Sequence, residues 1–491
     1  HRRCFFDMPA LKRAAAVTPS TERVTLSLIS HTNAGKTSLA RTLLRQDVGE
    51  VRDAPHVTLF NESHTLIREQ GKTLRLWDTP GFGDSARLLK RLKKESNALV
   101  WFLSQTWDRI TDKPLWCSQQ ALKNVREEAD VVMYLVNASE PPEAAGYLEP
   151  EMEILSWVGK PVVALLNQTG PAGGSEEDER EWREHLTRFP QVKRVLSLDA
   201  FARCWVQEDF LMDTLAEVLP EARREVFDVL KAAWQKRNQA VFDDAMRLLA
   251  DLLASAVLDG VEVRAESLWE KVGIGRGEIK QEYAEARQLL ATRLAERVER
   301  TTNSLILLHG LDGETGAVAA TALAGQFRTP EKISESIWGA LGGVAGGAMG
   351  GLIADLKLGG MTFGGGALVG GLGVGLTTYA VIRSYNLVRG GDQRMHWSKE
   401  HFREQTRLAV LCYLAVAHFG RGRGAWQDEQ QPRKWREVVE TAAEAEAAAV
   451  EDLWKLGVEK EAMPDVVVRG SHRLVKRMTL LALDQLYPPG K

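Results

Sequence analysis

Residues 30–37 have the clearest chemistry in this sequence, because they read Ser-His-Thr-Asn-Ala-Gly-Lys-Thr between an apolar run and a helix-like segment. A tight loop that opens a helix directs backbone N–H groups and the positive end of the helix dipole at one point, where a phosphate can bind. The ammonium of Lys36 adds charge for the outer phosphates, and the hydroxyl of Thr37 is a hard ligand for Mg²⁺. Ser30 replaces the first glycine of the usual pattern. The predicted phosphate contacts are Ser30, Asn33, Ala34, Gly35, Lys36, Thr37 and Ser38.

A second pattern, Asp-Thr-Pro-Gly at residues 78–81, follows another apolar run. An acidic residue at a strand end can reach the same Mg²⁺ through water, and the N–H of Gly81 can sense the outermost phosphate. An ordinary turn would explain Pro80 and Gly81 but not Asp78 at the end of a strand. The two patterns together predict a site for a nucleoside triphosphate with Mg²⁺.

Short apolar runs rich in Val, Leu and Ile supply the elements that must position these residues. They lack strict alternation, which is typical of strands buried on both faces of a parallel sheet. The predicted strands are 24–29, 73–77, 131–136, 162–166 and 192–196. The fold class expected is α/β: a three-layer, mostly parallel sheet of the P-loop NTPase type over residues 22–218, after an N-terminal extension at 1–21. Residues 219–491 are expected to form a mainly α-helical region.

The two motifs in this order resemble the translation-factor-like small GTPases of the Era and TrmE type, over about residues 22–218. The resemblance implies GTP and GDP as ligands and Lys36, Thr58 and Gly81 as catalytic residues. It implies a metal site of Thr37, Asp78 and a switch I threonine, for which Thr58 is the first choice and Thr65 the alternative. It also implies base contacts from Asn167, Gln168 and Ser197.

The base-reading motif departs from the family's Asn-Lys-x-Asp, because residues 167–170 read Asn-Gln-Thr-Gly. Gly170 has no carboxylate to accept from the guanine N–H groups. Guanine remains the expected base through Asn167 and Gln168, with Asp199 as a possible replacement contact, and strict selection against ATP stays open.

Hydrolysis is expected to be slow, because Phe82 stands where many GTPases have a water-orienting glutamine. Water would be positioned by another group, a potassium ion, or a protein partner or second copy. Asp84 and Arg87 are candidates for such a contribution. His31, inside the phosphate loop, is more simply interpreted as a solvent-facing histidine.

Overall charge and cysteine content limit the remaining function classes. The chain of 491 residues has 63 Lys and Arg against 66 Asp and Glu, a net charge of −3, which does not indicate a dedicated nucleic-acid binder. Its four cysteines are far apart, so they indicate neither a zinc site nor a disulfide framework, and a cytoplasmic protein is expected. A basic and aromatic stretch within 84–130 is interpreted as a solvated helix face and core aromatics rather than an RNA surface.

The second region begins with charged helical stretches predicted at 221–258 and 262–308, and helices return at 398–419 and 435–456. Between them, residues 337–382 form a glycine-rich apolar segment that predicts a helical hairpin. Its two halves approach the roughly 20 residues that span a bilayer, and glycines every four residues allow close helix contact. Glycine contributes little transfer energy, so a membrane-associated hairpin, peripheral or integral at the inner membrane, and a hairpin buried in protein both stay open.

These observations predict a Mg²⁺-dependent GTPase switch that couples its nucleotide state to the helical region and, through it, to a membrane or protein partner. An Era-like RNA or ribosome assembly factor, a dynamin-like membrane remodeller and a nucleotide-binding scaffold with little hydrolysis are the alternatives.

Overall fold

A computed structural model describes residues 22–31, 34–45, 61–82, 85–93, 113–167, 176–198, 204–263, 276–311, 387–389, 394–418, 430–458 and 463–488. Its first part is built on a six-stranded sheet with the strand order β2-β3-β1-β4-β5-β6. The strands are β1 (Arg23–Ser30), β2 (Glu62–Glu69), β3 (Lys72–Asp78), β4 (Val131–Asn137), β5 (Val162–Asn167) and β6 (Val192–Ser197). All neighbours are parallel except β2 and β3, which are antiparallel.

The five predicted strands are confirmed. Strands β1, β4 and β5 are apolar runs buried on both faces, whereas β3 is only partly buried and β6 exposes Lys193 and Arg194. Strand β2 was missed. It reads Glu-Ser-His-Thr-Leu-Ile-Arg-Glu and is mostly exposed, as expected for an edge strand. Its register is set by a tight turn to β3, in which Gln70 and Gly71 have φ of 49° and 77°. Two consecutive residues of positive φ are typical of the hairpin turn that matches strand twist.

Helices cover both faces of this sheet and complete the predicted three layers. One face packs against α1 (Lys36–Leu44) and α6 (Trp205–Val218), and the other against α2 (Ser85–Leu92), α3 (Lys113–Glu127), α4 (Leu148–Val158) and α5 (Glu176–Leu186). The carboxyl ends of β1, β3 and β5 therefore meet at one edge, where the loop before α1 lies.

The helix α7 (Glu221–Leu258) connects this part to the second. Its 38 residues span about 57 Å, at 1.5 Å per residue. Its first turns bury Phe227, Leu230 and Trp234 in the core under the sheet, and its later turns bury residues from Phe242 onward in a separate helical core. One continuous helix thus belongs to both cores.

Among the described residues, the helical core contains five further helices and a small sheet beside it. The helices are α8 (Arg276–Leu308), α9 (Lys399–Ala417), α10 (Gln430–Ala445), α11 (Ala447–Val458) and α12 (Pro464–Leu486), of which α12 makes the most extensive contact with α7. The sheet has the order β7-β9-β8, with β7 (Gly260–Glu262), β8 (Leu387–Arg389) and β9 (Arg394–Trp397).

Several predictions for this region need correction. The helix predicted from residue 262 begins at Arg276, because residues 260–262 pair with β9 as a strand. The helix predicted at 435–456 is two helices that meet at Glu446, whose buried carboxylate pairs with Arg477 at 2.7 Å. The C-terminal helix α12 was not predicted. Each difference depends on a contact distant in sequence.

The glycine-rich segment at 337–382 lies outside the described residues, so the prediction of a membrane-associated hairpin remains a prediction. Within the part of the chain that the structure describes, no helix combines the length and apolar character that a membrane crossing requires. Residues 94–112 of the basic and aromatic stretch within 84–130 also lie outside it. Lys90 and Lys93 lie on or beside α2 and are exposed, as predicted for a solvated helix face.

Candidate functional site

The loop between β1 and α1 has the backbone geometry of an anion cradle. Gly35 caps α1 with φ of 89°, a left-handed conformation that glycine adopts without strain. The helix starts directly after it, since the N–H of Leu39 donates to the carbonyl of Gly35 at 3.0 Å. The N–H groups of the first turn of α1 therefore have no acceptor within the helix and point toward the loop. Ser38, in that turn, is buried.

Lys36 lies in this first turn with 7% of its surface exposed. Its Nζ donates to Oγ of Ser30 at 2.9 Å. The ammonium predicted to bind phosphate therefore joins the two ends of the loop. Burial lowers the pKa of Lys36, and the nearby carboxylates of Asp78 and Glu151 oppose that shift. A cation held in this way is attracted to an anion with several phosphate oxygens.

Thr37 and Asp78 form the second part of the site. Strand β3 lies beside β1, and Asp78 at its end accepts a 2.6 Å hydrogen bond on Oδ2 from the hydroxyl of Thr37. Burial raises the pKa of Asp78, while the Thr37 hydrogen bond and Lys36 act against it. The other oxygen, Oδ1, is buried and has no hydrogen-bond partner among the residues that the structure describes.

This oxygen of Asp78 shows whether the site fits a Mg²⁺ ion. A buried carboxylate oxygen without a donor costs free energy unless a cation or water satisfies it. Hydroxyl and carboxylate oxygens are the hard ligands that Mg²⁺ prefers, and it retains several waters. Thr37 and Asp78 therefore fit the predicted ion.

The turn after Asp78 is held against the phosphate loop by backbone contacts. The hydroxyl of Thr79 donates to the carbonyl of Leu28 at 2.5 Å, and the N–H of Phe82 donates to the carbonyl of Ser30 at 2.9 Å. Gly81 is thereby fixed beside the loop. The side chain of Phe82 is fully buried in the core on the other side of the sheet, so it contributes no polar group to the site.

Asn167 is brought to the loop as well, in a role that the sequence did not indicate. It ends β5, is fully buried, and its Nδ2 donates to the carbonyl of Ala34 at 2.8 Å. This bond ties the end of the fifth strand in the chain to the residue before Gly35. Ser197, at the end of β6, has a buried Oγ without a hydrogen-bond partner in the described part of the chain.

The expectation that His31 faces solvent is wrong. Its Nδ1 lies 2.7 Å from Oε1 of Glu151, and its ring stacks on Tyr147 with centroids 4.2 Å apart. Oε2 of Glu151 accepts from the hydroxyl of Tyr134 at 2.6 Å, and burial raises the pKa of this carboxyl. The sequence could not reveal this, because an acidic residue on a helix is usually solvated, whereas Glu151 is fully buried.

The alternative switch I residue, Thr65, is also placed elsewhere. It lies in the edge strand β2 opposite Arg75, next to a shift in the pairing register between Thr65 and Ile67, rather than in a loop at the phosphate site. Arg87, considered as a helper of hydrolysis, is exposed on α2. Five other predicted contributors lie outside the described residues: Asn33, Thr58, Asp84, Gln168 and Asp199.

The structure therefore gathers most of the predicted site at one edge of the sheet. The residues brought together are Ser30, Ala34, Gly35, Lys36, Thr37, Asp78, Gly81 and Asn167. A phosphate cradle beside a hydroxyl and a carboxylate can bind a polyphosphate with a divalent cation and stabilise charge on the phosphoryl oxygens.

Two family models match this chain. The family described as 50S ribosome-binding GTPase matches residues 25–168, which contain the sheet and the loop. A domain of unknown function, DUF3482, matches residues 183–462, more than half of the chain. No functionally curated protein matches the chain.

Solved structures similar to the first part include two of Era. Era in complex with MgGDPNP and nucleotides of 16S ribosomal RNA is 17% identical with a TM-score of 0.31, over 41% of this chain and 58% of that one. Era of Aquifex aeolicus bound to GDP and aluminium fluoride is 18% identical with a TM-score of 0.30, with the same coverage of 41% and 58%. The match thus spans little more than half the length of either Era chain. Toc33 of Arabidopsis thaliana is 13% identical with a TM-score of 0.25, over 43% of this chain and 83% of that one.

Proposed function

The chain belongs to the DUF3482 family and carries a P-loop GTPase domain in front of that region, and from this premise we propose that it is a Mg²⁺-dependent GTP hydrolase acting as a switch on its helical region. The observation that carries the proposal is the cluster of Lys36, Thr37 and Asp78 at the loop, with one carboxylate oxygen left without a donor.

The residues divide the chemistry between them. Loop N–H groups and Lys36 bind the phosphates and stabilise the charge that develops on the transferred phosphoryl group. Thr37 and Asp78 would hold Mg²⁺, which when bound neutralises phosphate charge as a Lewis acid. Phe82 is buried away from the site, so no side chain at that position orients water. Slow intrinsic turnover follows, with a protein partner or second copy as the source of a missing group.

Guanine is the proposed base because the matching family is one of GTPases. One amide hydrogen of Asn167 is engaged by the carbonyl of Ala34, so this residue first positions the phosphate loop. Selectivity for guanine would then depend on the further contacts that residues 167–170 and Ser197 make with the base.

Coupling to the helical region is proposed because the described residues on either side of residues 46–60, the segment that contains the predicted switch I residue Thr58, contact α7. At its start, Arg45 donates to Oδ1 of Asn238 at 2.8 Å. At its end, β2 packs on α7, and Arg237 donates to the carbonyl of Leu66 at 3.4 Å while its guanidinium lies 4.0 Å from the ring of Trp234. Segments held by the outermost phosphate and the metal are released when that phosphate leaves. A change there would reach a helix that continues into the second core.

Calorimetric titration of the full chain with GTP, GDP and ATP, with and without Mg²⁺, tests the proposal, together with measurement of phosphate release. We expect binding of GTP and GDP that strengthens with Mg²⁺, and loss of both binding and hydrolysis in Lys36→Ala. Lys93→Ala is the matched control, since Lys93 forms an exposed ion pair with Glu153 at 2.9 Å away from the loop. Equal binding by parent and Lys36→Ala would contradict the proposal, and tighter binding of ATP than GTP would reassign the base.

The membrane role remains a separate proposal that rests on the sequence of residues 337–382. Co-sedimentation of the full chain with liposomes, with and without nucleotide, tests it. Deletion of 337–382 should abolish co-sedimentation if the segment is the attachment; unchanged sedimentation would reject that role.

A further inference from the structure

A groove of about 530 Å³ lies between α7 and α12, on the helical region and apart from the phosphate loop. Ala250 and Val468 form apolar parts of its lining, and His472 also lines it. The groove begins about 14 Å beyond Asn238 along α7. Its volume is within the range of 300–1,000 Å³, approximately, that small-molecule sites occupy.

Positive charge dominates this groove. Arg469 and Arg473, one turn apart on α12, are exposed and have no ion pair with a described residue, while Arg247 faces them from α7. Arg247 pairs only with Asp244 of its own helix, and both side chains are largely exposed, so that pair is weak. Asp251 is the one acidic residue in the lining.

The next cations along the same helix behave differently. Lys476 pairs with Asp243 at 2.8 Å, and Arg477 pairs with the buried Glu446 at 2.7 Å. On α12, the cations that follow the groove are therefore neutralised, whereas Arg469 and Arg473, which line it, have no ion pair with a described residue. In addition, Nε2 of His472 is buried and has no hydrogen-bond partner in the described part of the chain.

The side chains that line the groove indicate which chemical groups a ligand would carry. Guanidinium groups present planar pairs of donors that match phosphate oxygens, and the unpartnered His472 Nε2 offers a further polar contact. No Phe, Tyr or Trp is among the described residues that line the groove, so it lacks the large stacking platforms typical of sites for single-stranded nucleic acid. A concave site with an apolar floor suits a compact molecule.

We propose that the groove between α7 and α12 binds a soluble phosphate-bearing small molecule, whose phosphate is held by Arg247, Arg469 and Arg473. This site is distinct from the nucleotide site, and α7 connects the two. A phospholipid headgroup has the same phosphate chemistry and is separated from the soluble ligand by the test below.

The test uses inorganic pyrophosphate as the probe and the full-length Lys36→Ala chain as the background, so that the phosphate loop does not obscure the result. Calorimetry should show binding that weakens at least about tenfold when Arg469→Glu and Arg473→Glu are added. The matched control adds Arg287→Glu and Arg300→Glu, which make the same charge change at exposed arginines of α8. It should retain the affinity of the background within about twofold.

Three results would overturn the proposal. Absence of pyrophosphate binding to the background chain rejects the site. Equal loss in the control pair shows that binding reflects overall charge. Binding to phosphatidylcholine vesicles that contain phosphatidic acid, lost with Arg469→Glu and Arg473→Glu while pyrophosphate does not bind, assigns the groove to a lipid headgroup. Because the background lacks Lys36, none of these outcomes depends on whether the proposed GTP site binds.

Discussion

The guanidinium of Arg45 donates a 2.8 Å hydrogen bond to Oδ1 of Asn238, and thereby joins the end of the helix after the phosphate loop to the long helix α7. Nδ2 of Asn238 donates in turn to Oε2 of Glu208 at 3.2 Å, and Arg45 lies 3.7 Å from the same carboxylate. Asn238 and Glu208 are both buried. These hydrogen bonds stabilise the contact between the first part of the chain and α7. Removal of one of the three side chains would leave a polar group of another without its partner.

Arg45→Ala should uncouple the helical region from the nucleotide. The backbone at Arg45 has φ of 55°, which strains alanine as it does arginine, so the substitution tests the guanidinium. In the parent we expect a GTP analogue with Mg²⁺ to change hydrogen exchange in residues 242–257, and in the variant that change should disappear. Lys231→Ala is the control, since it removes an ion pair from α7 to Asp213 at 2.5 Å. A nucleotide effect of parental size in Arg45→Ala would reject this route.

Ser30→Gly should tighten nucleotide binding. The hydroxyl of Ser30 accepts from Lys36 at 2.9 Å and so competes with phosphate for the cation. A hydrogen bond of this kind has a net value of about 1 kcal/mol, which corresponds to about fivefold in affinity for GTP by calorimetry. Ser27→Gly makes the same change on the same strand, where the hydroxyl donates to Asn124 at 2.7 Å instead, and should give no gain. Weaker binding by Ser30→Gly would show that the hydroxyl assists the site.

Asn167→Ala distinguishes loop anchoring from base reading. The substitution leaves the carbonyl of Ala34 without the amide that donates to it at 2.8 Å. If anchoring dominates, affinity for GTP and ATP should fall together, by about tenfold for a loss near 1.4 kcal/mol. Asn137→Ala is the control on the adjacent strand, where the side chain accepts from Ser139 and not from the loop. A loss confined to GTP would instead assign Asn167 to the base.

Glu151→Ala should destabilise the first part of the chain. It removes the acceptor of Tyr134 and the partner of His31 from a fully buried position. Leaving such groups unpaired costs about 1–3 kcal/mol, measured as the free energy of unfolding in urea. Glu153→Ala on the same helix removes only an exposed ion pair and should cost less than about 1 kcal/mol. Equal effects of the two substitutions would mean that the buried network contributes little.

Acid should destabilise the helical region through His309, which is partly buried, and His418, which is buried. Burial lowers the pKa of His309 and of His418 from 6.5 to about 4, so the folded protein keeps both neutral while the unfolded chain binds protons. Their stabilisation is present above pH 6.5 and is lost as the pH falls toward 4, by up to about 3 kcal/mol each. Asp209 acts in the opposite direction, because burial raises its pKa to about 6.

Urea unfolding at the two ends of this pH range measures the effect. Replacing both histidines, as His309→Gln and His418→Gln, should reduce the loss of stability on acidification, whereas His185→Gln on α5 should not. Nδ1 of His418 lies 2.6 Å from the carbonyl of Leu414 and Nε2 lies 2.7 Å from the hydroxyl of Tyr487, an arrangement that fits the neutral ring. An unchanged pH dependence in the double variant would place the acid sensitivity elsewhere.

Sequence patterns predicted correctly those elements whose structure depends mainly on residues close together in the sequence. Strands β1, β4 and β5 could be predicted because they are apolar runs buried on both faces, and β3 and β6 because each retains a shorter apolar run. Strand β2 and the break at Glu446 could not, since they depend on an edge position and on pairing with Arg477. For the same reason the partner of His31 was found only in the structure.

The order of residues along the chain determined by itself that a phosphate loop precedes a helix, that Thr37 and Asp78 can share a cation, and that Phe82 cannot orient water. These properties follow from residue type and from spacing within one strand, loop and helix. Tertiary structure decided that Asn167 holds the loop, that Glu151 pairs with His31, that α7 enters both cores, and that arginines of α7 and α12 face one groove. Burial and pairing between distant segments set these relationships, and a linear sequence does not specify which distant side chains will meet.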